Sequence, residues 1–389
     1  MLQIEINNDL DSLLADSDAW NSLTRGVPFR DTAWLGPWWQ NVGCGNQGYA
    51  VVARDESGAI RGILPLYVRD QTSGRRTLAV LGDGDACSDY VSVLAAKADA
   101  IEVAKQIGRY LLANVSDPQN GWDLIDIDGV VEGDRPMSAL AETLQHGGAS
   151  IHAQSRMSTW SRPASASWED HLKTHGKSQR RKIRSLCKSL ANNDSLVQRS
   201  ANSETEVDNL LDALIQLHQC RWTEAGQQGS YADQGFRSFV RETAIQHFRK
   251  NQLYLTALER DGVVIGAELN LIGDNRVLYS YSSGFDLDHS DVEPGRVLGA
   301  DTLQHLYRSD LAGIDYMRGD EEYKQRFATE SRQVFRFRAV APAWYPKLRH
   351  AIWSTQFELT QIARRRTGRK PIVVADITQA TPIPGTATQ

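Results

Sequence analysis

The chain reads as an α/β protein in which mixed central sheets are flanked by helices, built as two similar halves. Three observations carry this reading. From Asn251 onward the pattern runs strand, strand, strand, helix, strand, helix, strand. Val51 to Leu66 (VVARDESGAIRGILPL) repeats the pattern of Thr256 to Leu271 (TALERDGVVIGAELNL): an apolar strand, a charged glycine turn, and a second strand with an internal glycine, Gly62 or Gly266. Finally, Asp310 to Phe327 (DLAGIDYMRGDEEYKQRF) crowds titratable side chains at a strand end followed by a tight turn, where open α/β folds expose ligand-binding groups.

Taken in order, the elements justify themselves locally. After Pro28 (PFRDTAWLGPWW), Trp34, Trp38 and Trp39 share helical spacing and belong to a core more readily than to a site. The Val51 to Leu66 hairpin follows. Gly82 to Tyr90 (GDGDACSDY) sets Asp83, Asp85 and Asp89 on a glycine-rich turn, ordinarily a solvated loop. Asp99 to Ala113 has helical apolar spacing, and Trp122 to Gly129 (WDLIDIDG) parallels Gly313 to Gly319 (GIDYMRG). If Lys177 to Asn192 is helical, Lys177, Arg181, Arg184 and Lys188 form one stripe, with Ile183, Leu186 and Leu190 opposite. That stripe is either a solvated face or a phosphate contact made by Arg181 and Arg184. Asn251 to Arg260, Val263 to Ile272 and Arg276 to Phe285 form an antiparallel meander, turned at Asp261-Gly262 and Gly273-Asp274. Pro294 and Gly295 open a helix that runs to about Asp310, because proline at the first turn forgoes no hydrogen bond. The Asp315 strand, the turn at Gly319 with the cluster Asp320 to Lys324, and a last strand at Gln333 to Ala341 complete the order.

Composition bounds the rest. At 389 residues and 41% hydrophobic content, two ordinary cores are expected. They divide as 1–160, a linking basic helix over 161–200, a second half over 201–345, a helix over 346–377 and a disordered Thr/Pro-rich tail over 378–389. The basic run Arg364 to Lys370 reads as a solvated terminus. No apolar run approaches the ~20 residues of a membrane helix, and Met1 to Leu10 lacks signal-peptide blocks, so a cytoplasmic location is expected. The net charge of −5 gives no global attraction to nucleic acid. Cys44, Cys87, Cys187 and Cys220 lack zinc-ribbon or disulfide spacing, and His171 with His175 has no nearby carboxylate pattern, so no metal is expected.

The order of elements, together with LHQCRW at Leu217 to Trp222 and the segment Gly313 to Lys324, resembles the carboxyl half of GNAT-superfamily acyltransferases. More narrowly it resembles the CelD/BcsL type linked to cellulose and exopolysaccharide biosynthesis, whose relatives include the FemAB aminoacyl transferases. The resemblance extends from about Pro28 to Ala341. It implies tandem GNAT-like (acyl-CoA N-acyltransferase) domains, acyl-CoA and most simply acetyl-CoA as donor, and an amine acceptor such as an amino sugar. It also implies substrate contacts at Asp89, Tyr90, Arg221, Trp222 and Tyr281.

Acyl transfer makes chemical demands on such a site. An ammonium of pKa about 10.4 is neutral only about once in 10³ at pH 7, a penalty of roughly 4–5 kcal/mol, so a base is needed. Glu268, alone in the apolar run VVIGAELNLI, is the candidate, although a solvent-facing glutamate fits the same sequence. Asp315, Tyr323 and Lys324 are the other catalytic candidates. Lys324 would reach back towards the Asp315 strand, and Tyr323 would protonate the leaving thiolate. A GNAT-like oxyanion donor implies an irregular strand, expected at Ser282-Ser283-Gly284. Pyrophosphate would lie at the helix start formed by Gly295 and Arg296. The GNAT phosphate pattern is met as Arg296-x-x-Gly299-x-Asp301, where Asp301 replaces a small residue. That departure leaves an aminoacyl-tRNA donor open, as well as a binding subunit without catalysis.

Overall fold

The computed structural model describes residues 2–70, 76–224, 226–319 and 321–348, with the backbone of 374–375. Asp320, the basic run at 364–370 and the tail over 378–389 lie outside the described residues, as does most of 346–377.

The first half contains β1 (Gln3–Asn7), α1 (Leu10–Ala15), α2 (Ser17–Asn21), α3 (Thr32–Asn41), β2 (Gln47–Arg54), β3 (Ile60–Asp70), β4 (Thr77–Val80), β5 (Leu94–Ala95), α4 (Ala100–Ala113), β6 (Leu124–Val131), α5 (Arg135–His146) and β7 (Ser150–Pro163). After α6 (Trp168–Lys173) and α7 (Lys177–Asn192) come β8 (Leu196–Ser200), α8 (Glu204–Glu224), α9 (Gln234–Arg249), β9 (Leu253–Arg260), β10 (Val263–Ile272), β11 (Val277–Phe285), α10 (Pro294–Arg308), β12 (Gly313–Arg318), α11 (Glu322–Phe327) and β13 (Glu330–Val340). A two-residue β14 (Val374–Ala375) pairs with β7. Local signals set several of these limits. Asp31 caps α3 by accepting from Trp34 N at 3.0 Å, and Asp134 caps α5 by accepting from Met137 N at 2.9 Å. Asp261 and Gly262, both at positive φ, make the β9–β10 turn.

All the strands join one mixed sheet, ordered β1-β2-β3-β4-β6-β13-β7-β12-β11-β10-β9-β8. The two halves are copies, and the register makes this concrete. In the β2–β3 hairpin a bulge leaves Arg61 unopposed just before Gly62; in the β9–β10 hairpin a bulge leaves Ile265 unopposed just before Gly266. In each copy the glycine lies where the crossing helix bears on the sheet. A Cβ on Gly62 would meet Val103 of α4 at 2.3 Å, and one on Gly266 would meet Pro294 of α10 at 3.2 Å. The parallel pair that follows is likewise repeated, as β4–β6 and β11–β12. The last strand in sequence, β13, lies between β6 and β7, and β7 in turn borders β12.

One large core runs across both halves, with Trp34, Tyr67 and Leu81 packed in the same cluster as Leu211, Phe239, Leu269 and Tyr279. Trp34 stands edge-on to Phe29, Phe239 and Tyr281 at ring separations of 4.8–4.9 Å. Trp34 and Trp38 are fully buried core residues, as their spacing implied. A second cluster fills the first half and takes Phe337 and Ala339 from β13.

Candidate active site

The site begins with a gap in the sheet. β11 and β12 pair at Val277 with Gly313, Leu278 with Ile314 and Tyr279 with Asp315, and pairing stops there. Beyond Tyr279 and Asp315 the two parallel strands separate, so the carboxyl half of β11 has no partner on its β12 side. On its other side β11 carries a bulge. Leu269 faces Ser282 and Asn270 faces Ser280, which leaves Tyr281 unopposed, one residue before the expected stretch Ser282 to Gly284. The LHQCRW end of α8 leans directly on this strand. A Cβ on Gly284 would stand 2.7 Å from His218 N and 2.9 Å from Leu214 O, so only a glycine lets the helix backbone approach so closely.

Glu268 sits on β10 opposite Ser283, 8% exposed, on the face covered by α10. The Thr302 hydroxyl of α10 donates to its Oε2 at 3.1 Å. Burial pushes its pKa up to about 7, and the neighbouring Asp301 adds to the rise, while the hydrogen bonds from Thr302 and Asn270 oppose it. Around it Thr256 Oγ1, Asn270 Oδ1 and the Tyr316 hydroxyl are buried without a hydrogen-bond partner among the described residues. Buried polar groups are ordinarily satisfied, so these are groups that the polar atoms of a ligand can engage. The Tyr316 and Tyr323 rings meet edge to face at 6.4 Å. Tyr323 is 47% exposed, yet desolvation, with Glu321 and Glu268 near, raises its phenol above the ordinary value.

Asp315 lies on the opposite face of β12 from this group. The Tyr90 hydroxyl donates to it, Thr159 Oγ1 lies 3.1 Å away, and Met317 N donates at 2.7 Å. Burial raises its pKa to about 6. Asp89, fully buried, accepts from Arg318 N at 2.9 Å and from the Arg318 guanidinium, which also reaches Asp128 at 3.1 Å and the Ser88 carbonyl at 3.0 Å. Burial works against the Arg318 charge, but Asp89 and Asp128 outweigh it and hold its pKa above the usual value. Asp89 and Tyr90 therefore clasp the two halves together. Arg318, which sequence reading passed over, is the hub; its only signal was its place between Asp315 and Gly319. Lys324, 6% exposed, donates to the Arg318 carbonyl at 2.6 Å and pairs with Glu321 at 3.2 Å, reaching back to the end of the Asp315 strand across the Gly319 turn.

At the start of α10, Pro294, Gly295 and Arg296 follow Glu293, which adopts positive φ and leaves the helix without a side-chain cap. The Glu293 carboxylate is held by Lys182 of α7 and by Arg296. Lys182, off the predicted stripe, is thus the α7 cation nearest this helix start. On the stripe itself Arg184 pairs with Glu169 at 2.7 Å, and Lys177, Arg181 and Lys188 are exposed, while Ile183 is buried and Leu186 packs against α10. A Cβ on Gly299 would meet nothing within 4 Å. Asp301 is turned away from the helix start, accepting from the Tyr254 hydroxyl at 2.6 Å and from Arg308 at 2.7 Å, which gives its carboxylate a structural use.

Four other residues flank the gap. Tyr281 is enclosed by Phe29 and Trp34 and donates to the Ala86 carbonyl at 3.3 Å. The Tyr231 hydroxyl donates to Ser282 Oγ at 3.1 Å, and Trp222 Nε1 donates to His218 Nε2 at 2.9 Å. Arg221, exposed at the end of α8, lies close enough to oppose the rise of the Tyr323 pKa. The structure thus brings Glu268, Ser283, Tyr323 and Arg221 to one region and puts Asp315, Asp89 and Tyr90 on the other face. Away from both, His171 and His175 form a buried pair, Nε2 to Nε2 at 3.3 Å, with His171 stacked on Trp168. Burial lowers the His171 pKa to about 3.

Residues 177–325 match the family model described as an acetyltransferase (GNAT) domain, so the chain carries an acyltransferase domain. No curated protein matches the chain. Among solved structures it is similar to FemX, at TM-score 0.57 and 10% identity over 82% of this chain and 95% of that one. It is similar to L-PGS from Bacillus licheniformis, at TM-score 0.51 and 9% identity over 90% and 98%. A conserved protein of unknown function from Bacteroides thetaiotaomicron VPI-5482 gives TM-score 0.52 and 13% identity over 87% and 100%. At these identities the likeness is one of fold, the tandem GNAT-like arrangement of mixed sheet and flanking helices. Among the described residues no helix is long and apolar enough to cross a membrane.

Proposed function

We propose that the chain moves an acyl group from acyl-CoA, most simply acetyl-CoA, to the amine of an amino sugar or related precursor, as a cytoplasmic CelD/BcsL-type enzyme of polysaccharide or cell-envelope biosynthesis. The observation that carries this reading is Glu268, a buried carboxylate of pKa about 7 beside the gap between β11 and β12. A base of that pKa is half ionised at neutral pH, where both its protonation state and its driving force suit proton abstraction. In this scheme Glu268 takes one proton from the acceptor ammonium, directly or through a water. The freed amine nitrogen attacks the thioester carbonyl, and the backbone at the Tyr281 bulge donates to the oxyanion. As the C–S bond breaks, the second nitrogen proton is released and the thiolate sulfur takes up a proton. Tyr323, whose raised pKa makes it a weaker acid than a free phenol, serves the sulfur as a hydrogen-bond donor. The pyrophosphate of the donor would replace Glu293 between Lys182 and Arg296 at the uncapped start of α10.

A FemAB-like transfer from aminoacyl-tRNA is the second reading. It is favoured by the cations at the α10 start, which already have an internal carboxylate, and by Asp301 where the acyl-CoA pattern takes a small residue. Calorimetry with acetyl-CoA separates the two. Binding to the wild type that weakens strongly in Arg296→Glu supports the first; no heat with any acyl-CoA, together with retention of charged tRNA on a filter, supports the second.

A further inference from the structure

A cavity of about 510 Å³ lies at the seam between the halves, under the first residues of β11 and β12. It is some four residues, roughly 13 Å, along β11 from Ser283 and opens on the other face of the sheet from Glu268. Five cations line it, Arg25, Arg30, Lys97, Arg135 and Arg332, against four carboxylates, although the chain as a whole carries −5. One of them is built in: Arg30 is 8% exposed, with Nε on the Tyr90 carbonyl at 2.5 Å. The Arg162 guanidinium is turned to the other face of the sheet, onto the Phe327 carbonyl at 2.7 Å. Asp134 stands 3.5 Å from Arg30, and Glu330 faces Arg332 at 4.0 Å. Among the described residues no carboxylate lies within salt-bridge distance of Arg25, Lys97 or Arg135.

The internal repeat says what this place is. α4 lies in the crossover from β4 to β6 as α10 lies in the crossover from β11 to β12, and the two parallel pairs have the same three-residue register before they part. The start of α4, like that of α10, has no side-chain cap, and its first residues, Ala100 and Ile101, line the cavity. The floor is apolar and aromatic, with Tyr279 and Val277. We infer that the seam cavity is a second anion-binding site, taking the phosphate or carboxylate end of a small, partly apolar ligand. Its volume suits a ligand of that size, exposed cations at the rim draw the anion in, and the buried Arg30 holds it.

The inference does not depend on the donor reading, and one set of titrations keeps the two apart. The full chain is titrated calorimetrically with pyrophosphate and, separately, with citrate, as wild type, as Arg296→Glu, and as the double variant Arg25→Glu with Arg135→Glu. Both substituted seam residues are exposed, and Lys97→Glu alone stands in should the double variant fold poorly. The expected result is that Arg296→Glu still binds one of the two anions and that the seam variant weakens this binding at least tenfold. Stronger binding of pyrophosphate than citrate would assign a phosphate ligand, and the reverse order a carboxylate. If Arg296→Glu binds neither anion, or if the seam variant binds both as the wild type does, the proposal is overturned.

Discussion

Glu268 costs the fold stability, because burial opposes its charge. Its pKa rises from 4.5 to about 7 on folding, so its charged form is disfavoured in the native state. The sign is fixed by linkage: the penalty is absent below about pH 4.5 and fully present above about 7, where it is bounded at about 3 kcal/mol. Glu268→Gln should therefore melt higher than wild type at pH 8 and no higher at pH 4, which thermal scans at the two pH values check. Lys324 makes the opposite case. Its buried ammonium is bonded to a backbone carbonyl and to Glu321, so Lys324→Met should lose about 1–3 kcal/mol in urea melts. Glu268 was legible in sequence because a charged residue interrupts an apolar strand. Arg318 was not, because its meaning comes from Asp89, 229 positions away.

The meander, the hairpin turns and the proline-opened helix were legible because turn residues and caps act locally. So was the repeat, since the copied hairpins keep the same glycine. What the pattern could not carry was the site of the strand irregularity, which depends on pairing register: the extra residue is Tyr281, not one of Ser282 to Gly284. The two copied glycines differ in how tightly the crossing helix is set. Gly62→Ala meets Val103 at 2.3 Å, whereas the nearest contact of Gly266→Ala is at 3.1 Å. The first should lose about 1–3 kcal/mol and the second less, measured by denaturant midpoints.

Across the whole molecule, the sheet joins what the sequence separates. β13, from the end of the second half, completes the first half's strands, and β7 borders β12 in the second. Strand partners this distant leave no trace in composition or periodicity, because an apolar strand reads the same wherever it is placed. With Trp34 and Phe239 in a common core as well, we propose that the halves unfold together. Scanning calorimetry should give one transition whose calorimetric and van't Hoff enthalpies agree, and a chain ending at Ala328, which lacks β13, should lose structure in both halves rather than in one.

We propose that acyl transfer occurs at the gap between β11 and β12 with Glu268 as its base. The most direct test is the pH dependence of kcat/KM for thiol release from acetyl-CoA with an amino-sugar acceptor, in wild type and Glu268→Gln. The wild-type profile should rise with a midpoint near 7, as Glu268 loses its proton, and the variant should be at least about 100-fold slower with that step missing. A variant that turns over like wild type, with the same inflection, would contradict it.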